Sequence, residues 1–271
     1  MKLIVISPEQ DDPRETAVLG ALLASGLERY HVRKPHWPVA RLEAWLRALP
    51  AEWYSRLVLH QHHELVAKFG LGGCHWRDEK GGAACPQDAL SALGATRSTL
   101  TSRSCHDFAA LGTALGKYDS VFFGPVFPSI SKPGYGAGNN FSTNGLSALL
   151  AQRTPVERHT HVLALGGITA ERLPQVHALG FDGVGVLGAI WKSDDPVAAF
   201  LELQSAALCL TGGARCPLAS VASAKEAQRA KNVLRASRST LRALPCSPAS
   251  DLSAVDSAKA EALAKEATHA A

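Results

Sequence analysis

Five basic side chains follow short apolar runs of this sequence, and the chemistry they share is the binding of anions. Guanidinium and ammonium groups pair well with phosphate and diphosphate, which they neutralise through charge-assisted hydrogen bonds. Asp78 and Glu79 are the acidic residues close to them in the sequence. The pattern therefore predicts a phosphorylated substrate. The five residues are Arg33, Lys34, Arg77, Arg103 and Lys132.

Glycines and hydroxyls accompany this charge at other apolar runs. The stretch GPVFPSISKPGYG, residues 124–136, places Ser129 and Ser131 beside Lys132. The pair Gly166-Gly167 and the single Gly188 follow two later runs. Because glycine has no Cβ, backbone amides at such positions can approach a phosphate group closely. We expect a phosphate site there.

Three histidines, His31, His60 and His75, also end apolar runs. They could converge into a metal site. No carboxylate lies among them and no two are four residues apart, so hydrogen bonding to substrate or acid–base chemistry is favoured. The sequence has no GxSxG motif, which argues against a hydrolase of the Ser-His-Asp type.

The elements that must position these residues alternate between strand and helix patterns. This alternation predicts a parallel sheet with helical crossovers, and the number of units favours an α/β fold of the closed (β/α)₈ barrel type. An open doubly wound sheet is the alternative, but the GxGxxG typical of it is missing. In a barrel, the listed side chains meet at the carboxyl ends of the strands. The predicted strands are residues 3–7, 28–32, 56–60, 72–76, 96–101, 119–124, 161–166 and 182–187.

Helix patterns fill the intervening segments. Ser104 and Ser142 are the predicted N-caps of two helices, and Gly26, Gly116 and Gly180 stand where helices end. The predicted helices are residues 13–26, 38–49, 63–69, 86–93, 104–116, 142–153 and 169–180.

Charge and composition divide the chain into a barrel, residues 1–207, and an Ala/Ser-rich basic tail, residues 208–271. Residues 211–271 hold nine Lys/Arg and five Asp/Glu, whereas the remaining chain is balanced, with 19 of each. The barrel therefore has no electrostatic signature of a nucleic-acid-binding protein. The tail contains no aromatic residue from 211 onward and is expected to be disordered or weakly helical.

Location and redox state follow from what the sequence lacks. No apolar run is long enough to cross a bilayer, and the first residues have no signal-peptide pattern. We therefore expect a cytoplasmic protein that does not bind membranes. The six cysteines form no CxxC pair and are expected to be reduced thiols. The sequence makes no prediction of oligomeric state.

Five segments together resemble thiamine phosphate synthase and its TenI relatives. The resemblance covers about residues 1–207 and implies a (β/α)₈ barrel. It also implies a transferase that joins hydroxymethylpyrimidine diphosphate to thiazole phosphate, giving thiamine phosphate and pyrophosphate in thiamine biosynthesis. Mg²⁺ is the cofactor the family implies. The segments are YHVRKP (30–35), VLHQHHELVAKFGLGGCHW (58–76), YDSVFFGPVFPSISKPGYG (118–136), LALGGITAERLPQV (163–176) and GFDGVGVLGAIW (180–191).

Carried over by position, the resemblance implies two sets of binding residues. Arg33 and Lys132 match residues with a catalytic role on the leaving diphosphate, and Lys34 lies one place before the family's second lysine. The pyrimidine diphosphate set is His31, Arg33, Lys34, His60, Arg103 and Lys132. The thiazole phosphate set is Ser129, Ile130, Ser131, Gly166, Gly167, Leu187 and Gly188.

The chain departs from the family at the magnesium carboxylates, which align with Gln61 and Lys80. Asp78 is the nearest candidate for a shifted metal ligand. Two alternative functions remain open: a TenI-type thiazole tautomerase, and a non-catalytic regulator that binds thiazole or thiamine phosphate. The tautomerase usually carries a histidine directly after the glycine of strand 6, and here that residue is Pro125.

Overall fold

The protein, represented by a computed structural model, is described over residues 1–78, 86–96, 98–130 and 142–210. Eight parallel strands pair in chain order, and the eighth pairs with the first, so the sheet closes into a barrel. The predicted (β/α)₈ barrel is confirmed. Its strands are β1 (Lys2–Ile6), β2 (Tyr30–Val32), β3 (Leu57–Leu59), β4 (Gly73–Trp76), β5 (Leu100–Cys105), β6 (Ser120–Phe123), β7 (His161–Leu165) and β8 (Gly183–Val186).

Helices follow the strands and cover the outside of the barrel. Their apolar side chains pack against the outward-facing side chains of the strands in one large core cluster. Among the described residues, no helix is long and apolar enough to span a membrane. The helices are α1 (Glu15–Ala24), α2 (Val39–Arg47), α3 (Glu64–Phe69), α4 (Pro86–Ala92), α5 (Phe108–Ala114), α6 (Thr143–Ala151), α7 (Leu173–Ala178), α8 (Gly188–Trp191) and α9 (Pro196–Leu210).

Strand β5 lies four residues later than the sequence predicts. The Thr99 amide donates a hydrogen bond to the Thr96 carbonyl, and the strand begins at Leu100. Ser104 is therefore a strand residue and does not cap a helix. The cap of α5 is Asp107, whose carboxylate accepts a hydrogen bond from the Ala110 amide.

The other predicted cap is confirmed. The Ser142 hydroxyl accepts a hydrogen bond from the Gly145 amide at the start of α6. The predicted end of the barrel, residue 207, falls inside α9, which continues to Leu210. The rest of the predicted tail, residues 211–271, lies outside the described residues.

The interior of the barrel has an apolar side and a polar side. Ile4, Ile6, Phe122 and Leu163 form a small apolar cluster on the inner faces of β1, β6 and β7. On the opposite side, β2 to β5 direct histidine and serine side chains inward, as their mutual hydrogen bonds show. Polar chemistry is thus concentrated on one half of the barrel.

Candidate active site

Two cavities enter the barrel, one from each end. The upper cavity, of about 540 Å³, lies at the carboxyl ends of the strands, where enzymes of this fold bind their substrates. The lower cavity, of about 470 Å³, lies at the amino ends. The half of the upper cavity formed by β2 to β5 is lined by Arg33, His60, His75, Arg77, Asp78 and His106. The half formed by β6 to β8 is lined by Ser129, Ile130, Gly166, Gly167, Leu187 and Gly188.

Arg33 is held at the rim of the upper cavity. Its backbone amide donates a hydrogen bond of 2.7 Å to the Ser7 hydroxyl, which in turn donates to the Arg33 carbonyl. Its guanidinium pairs with Glu9 at 2.8 Å and stays partly exposed. Ser7, directly after β1, thus fixes the backbone of Arg33, a residue that lines the upper cavity.

Lys34, which the sequence predicts to bind diphosphate, lies away from the upper cavity. Its ammonium is fully buried and donates 2.5 Å and 2.8 Å hydrogen bonds to the Glu15 carboxylate and the Pro8 carbonyl. The Tyr30 hydroxyl donates to the other oxygen of Glu15. Burial raises the pKa of Glu15, and the Lys34 ammonium opposes this rise. The pair joins β2 to α1.

The three strand-end histidines come together in the middle of the barrel. Their ring centroids lie 4.0–5.6 Å apart, and the rings of His60 and His75 are stacked. His60 and His75 line the upper cavity, whereas His31 lines the lower one. The predicted contact of His31 with the pyrimidine diphosphate stays a prediction, and the structure places this residue beside the lower cavity.

Arg103 and Asp78 form an ion pair beside the upper cavity. The Arg103 side chain is 7% exposed, and its Nη2 lies 3.1 Å from an oxygen of Asp78. The other oxygen of Asp78 accepts from the His106 amide. Asp78 lines the cavity and Arg103 does not, and the guanidinium of Arg103 is directed to Asp78. The predicted contact of Arg103 with diphosphate stays a prediction.

His106 is a cavity residue that sequence reasoning missed. Its Nδ1 lies 2.7 Å from the Gly124 carbonyl oxygen, which can only accept a hydrogen bond. The Nδ1 therefore carries the hydrogen, and the Nε2 is not used by this bond. With β5 ending at Cys105, residue 106 is the first after the strand. Correct placement of β5 would have identified it.

The opposite wall brings backbone close to the cavity. Gly166 and Gly167 have φ values of 97° and 63°, and a Cβ on Gly167 would lie 2.4 Å from the Pro128 carbonyl oxygen. Glycine is required for this approach. Lys192 donates a 2.5 Å hydrogen bond to the Ile130 carbonyl and joins the segment after β8 to that after β6. The predicted residues Ser131 and Lys132 lie outside the described residues.

A family model described as thiamine monophosphate synthase matches residues 3–190, which include all eight strands except Lys2, the first residue of β1. The chain belongs to this family. A Geobacter sulfurreducens protein, provisionally assigned as a thiamine-phosphate synthase, is 30% identical over 184 residues, 66% of this chain and 81% of that protein. The thiamine-phosphate synthase of Chromobacterium violaceum is 27% identical over 203 residues, 73% of this chain and 91% of its own.

Solved structures of thiamine phosphate pyrophosphorylases share the barrel. The Bacteroides thetaiotaomicron protein has a TM-score of 0.58 at 26% identity and is aligned over 76% of this chain and 98% of its own. The Pyrococcus furiosus protein has a TM-score of 0.61, with 78% and 97% aligned, and at 20% identity it supports the fold alone. The resemblance that the five sequence segments carry is thus confirmed at the level of family and fold.

Proposed function

We propose that this member of the family is a thiamine phosphate synthase, a transferase that condenses hydroxymethylpyrimidine diphosphate with thiazole phosphate. The observation that carries the proposal is the two-sided upper cavity. Arg33 and Arg77 stand on the β2–β4 wall, and the glycine backbone of the β7 and β8 ends forms the facing wall. A diphosphate and a monophosphate can therefore be bound on opposite sides of one space.

The proposed reaction needs stabilisation of a leaving anion more than a strong base. The bond between the pyrimidine methylene carbon and the diphosphate oxygen breaks, and its electron pair leaves with pyrophosphate. The lone pair of the thiazole nitrogen then forms a bond to the same carbon. Fixed cationic groups lower the barrier because they stabilise the charge that develops on the leaving group. We assign this role to Arg33 and to Lys132.

The opposite wall would hold the thiazole phosphate. Ser129, Ile130, Gly167 and Gly188 line it, and the absence of side-chain bulk at the glycines leaves their amides accessible to phosphate oxygens. Ser131 joins this set by its match to the family motif. His60 and His75 lie between the two walls at the floor, where a pyrimidine ring would be within hydrogen-bonding reach.

The described residues do not by themselves form a magnesium site. Mg²⁺ binds through oxygen ligands, usually one or two carboxylates together with substrate phosphates. Asp78 is the only acidic side chain among the described residues that line the upper cavity, and Arg103 neutralises it. We therefore derive no catalytic step through Mg²⁺.

The decisive experiment is a coupling assay on the full-length protein with both substrates, in the presence and absence of Mg²⁺. We expect thiamine phosphate and pyrophosphate in equal amounts. Arg33→Ala and Lys132→Ala should each lower the rate at least about tenfold, which corresponds to about 1.4 kcal/mol of transition-state stabilisation. Arg41→Ala is the matched control, because Arg41 pairs with Asp11 on the surface.

Two results would contradict the proposal. The first is the absence of thiamine phosphate under all metal conditions. The second is conversion of a thiazole carboxylate phosphate without any pyrimidine diphosphate, which would identify a tautomerase. Pro125, which lines the cavity where such tautomerases carry histidine, offers no group for proton transfer and so argues against that outcome.

A further inference from the structure

His31, His60 and His75, which we call the histidine layer, form a cluster of basic groups without an acid among them. One ring nitrogen of each lies within 4.8 Å of the corresponding nitrogens of the other two. His31 and His75 are each 2% exposed, and His60 is partly buried. Three imidazole rings at this depth are unusual, since a barrel interior is normally filled with apolar side chains.

Hydrogen bonds to serine determine which nitrogen of His75 carries its proton. The Ser102 hydroxyl donates to the Cys74 carbonyl at 3.3 Å, so its oxygen accepts the Nδ1 hydrogen of His75 at 2.9 Å. The Nε2 of His75 is then unprotonated, and the Ser104 hydroxyl lies 2.9 Å from it. Because Ser104 lines the upper cavity, this lone pair lies on the cavity side of the layer.

The contact between His31 and His60 brings two further nitrogens together. The Nδ1 of His31 and the Nε2 of His60 lie 3.1 Å apart. Burial lowers the pKa of His31 to about 3 and the pKa values of His60 and His75 well below their usual range. Burial thus favours the neutral ring, which is the form in which imidazole binds metal ions.

These distances are close to those of a metal site. A tetrahedral ion with metal–nitrogen bonds of about 2.0–2.1 Å separates its ligand nitrogens by about 3.3 Å. The 3.1 Å hydrogen bond between His31 and His60 has nearly this spacing, and the hydrogen that it holds would move to the other nitrogen of its ring when both nitrogens bind a metal. The three nitrogens lie within 4.8 Å of one another, so those farthest apart must approach by up to about 1.5 Å, and the stacked rings of His60 and His75 must rotate for both to point at one ion.

We propose that the histidine layer binds one divalent transition-metal ion of the Zn²⁺ class, with a free coordination position facing the upper cavity. Imidazole suits Zn²⁺, Fe²⁺, Ni²⁺ and Cu²⁺, whereas Mg²⁺ requires oxygen ligands. Three histidines with a fourth position open to solvent or substrate are the ligand set of a catalytic zinc site. Ser102, which holds the protonated nitrogen of His75, acts as the outer-shell partner that fixes ring orientation.

The test is direct metal binding to the full-length protein after treatment with a chelator. Titration with Zn²⁺ should give one equivalent bound, and Co²⁺ should give the visible absorption bands of a four-coordinate ion. His31→Ala, His60→Ala and His75→Ala should each weaken Zn²⁺ binding at least about tenfold, as loss of one of three ligands requires. His177→Ala, at an exposed histidine of α7, should leave binding unchanged.

Two controls distinguish loss of a ligand from loss of folding and test competition by Mg²⁺. Asparagine variants at the three positions keep a polar side chain and are used wherever an alanine variant loses the circular dichroism of the native protein. Excess Mg²⁺ should not displace Zn²⁺. The proposal is overturned by the absence of Zn²⁺ binding, or by binding that all three single variants retain at wild-type strength. Neither result bears on the synthase proposal, which rests on the coupling assay.

Discussion

Lys34 shows that a basic residue beside a strand end need not face a substrate. Arg33 and Lys34 are adjacent, but their side chains go to different surroundings: Arg33 lines the upper cavity, and Lys34 enters the space beneath α1. The sequence predicted the positive charge near the mouth. It could not predict the partner, because Glu15 lies 19 residues earlier and reads as an ordinary residue of the first helical turn.

Glu15→Ala should lower the free energy of unfolding by about 3–5 kcal/mol, because it leaves the buried ammonium of Lys34 without a compensating charge. The measurement is urea denaturation at pH 7. Glu43→Ala is the matched control, since Glu43 pairs with Arg47 and Lys68 on the surface, and little change is expected there.

The double variant Glu15→Leu/Lys34→Met provides the complementary measurement. Removal of both charges should recover most of the stability that the single variant loses, because an apolar pair carries no desolvation penalty. Equal stability of Glu15→Ala and wild type would show that the ion pair does not form.

Strand β5 was predicted four residues too early, whereas the predicted positions of the other seven strands agree closely with the structure. Its inner face carries Ser102 and Ser104, which bind His75, so the strand lacks the apolar character that marks its neighbours. Prediction from hydrophobic pattern instead selected residues 96–101. A strand with polar inward-facing side chains can be recognised only when their hydrogen-bonding partner on another strand is known. Here that partner is His75, which lies 27–29 residues earlier in the sequence.

Asp107→Ala should destabilise the protein by about 1 kcal/mol, because the first turn of α5 loses the acceptor for its Ala110 amide. The free energy of unfolding from urea denaturation measures this effect. Asp194→Ala, at an exposed aspartate before α9, should change it by less than about 0.5 kcal/mol. Identical losses in both variants would contradict the capping role.

At the scale of the whole molecule, closure of the barrel followed from the count of alternating units, and the family match followed from motifs at strand ends. Both signals are local in sequence and repeat along the chain, which is why they were sufficient to predict the fold and the family. The partners of Lys34 and Arg103 were not predictable in this way, because each is set by contacts between different βα units.

Truncation after residue 210 tests the proposed division of the chain. The described helices end with α9 at Leu210, and the family match ends at residue 190. The shortened protein should keep its melting temperature within about 2–4 °C, the shift expected for about 1 kcal/mol in a protein of this size. Its coupling rate should be unchanged within about twofold. A large fall in the melting temperature or in the coupling rate would show that residues 211–271 are needed for the stability or the activity of the barrel.

The histidine layer also stands between the two cavities. His31 faces the lower cavity and His60 and His75 face the upper one, and Ser102 and Ser104 line the lower and the upper cavity beside them, so histidine and serine side chains lie between the two volumes on the polar side of the barrel. Together with the apolar cluster of Ile4, Ile6, Phe122 and Leu163, this layer separates the two cavities. Water from the lower cavity would have to pass this layer to reach the site of the proposed coupling reaction.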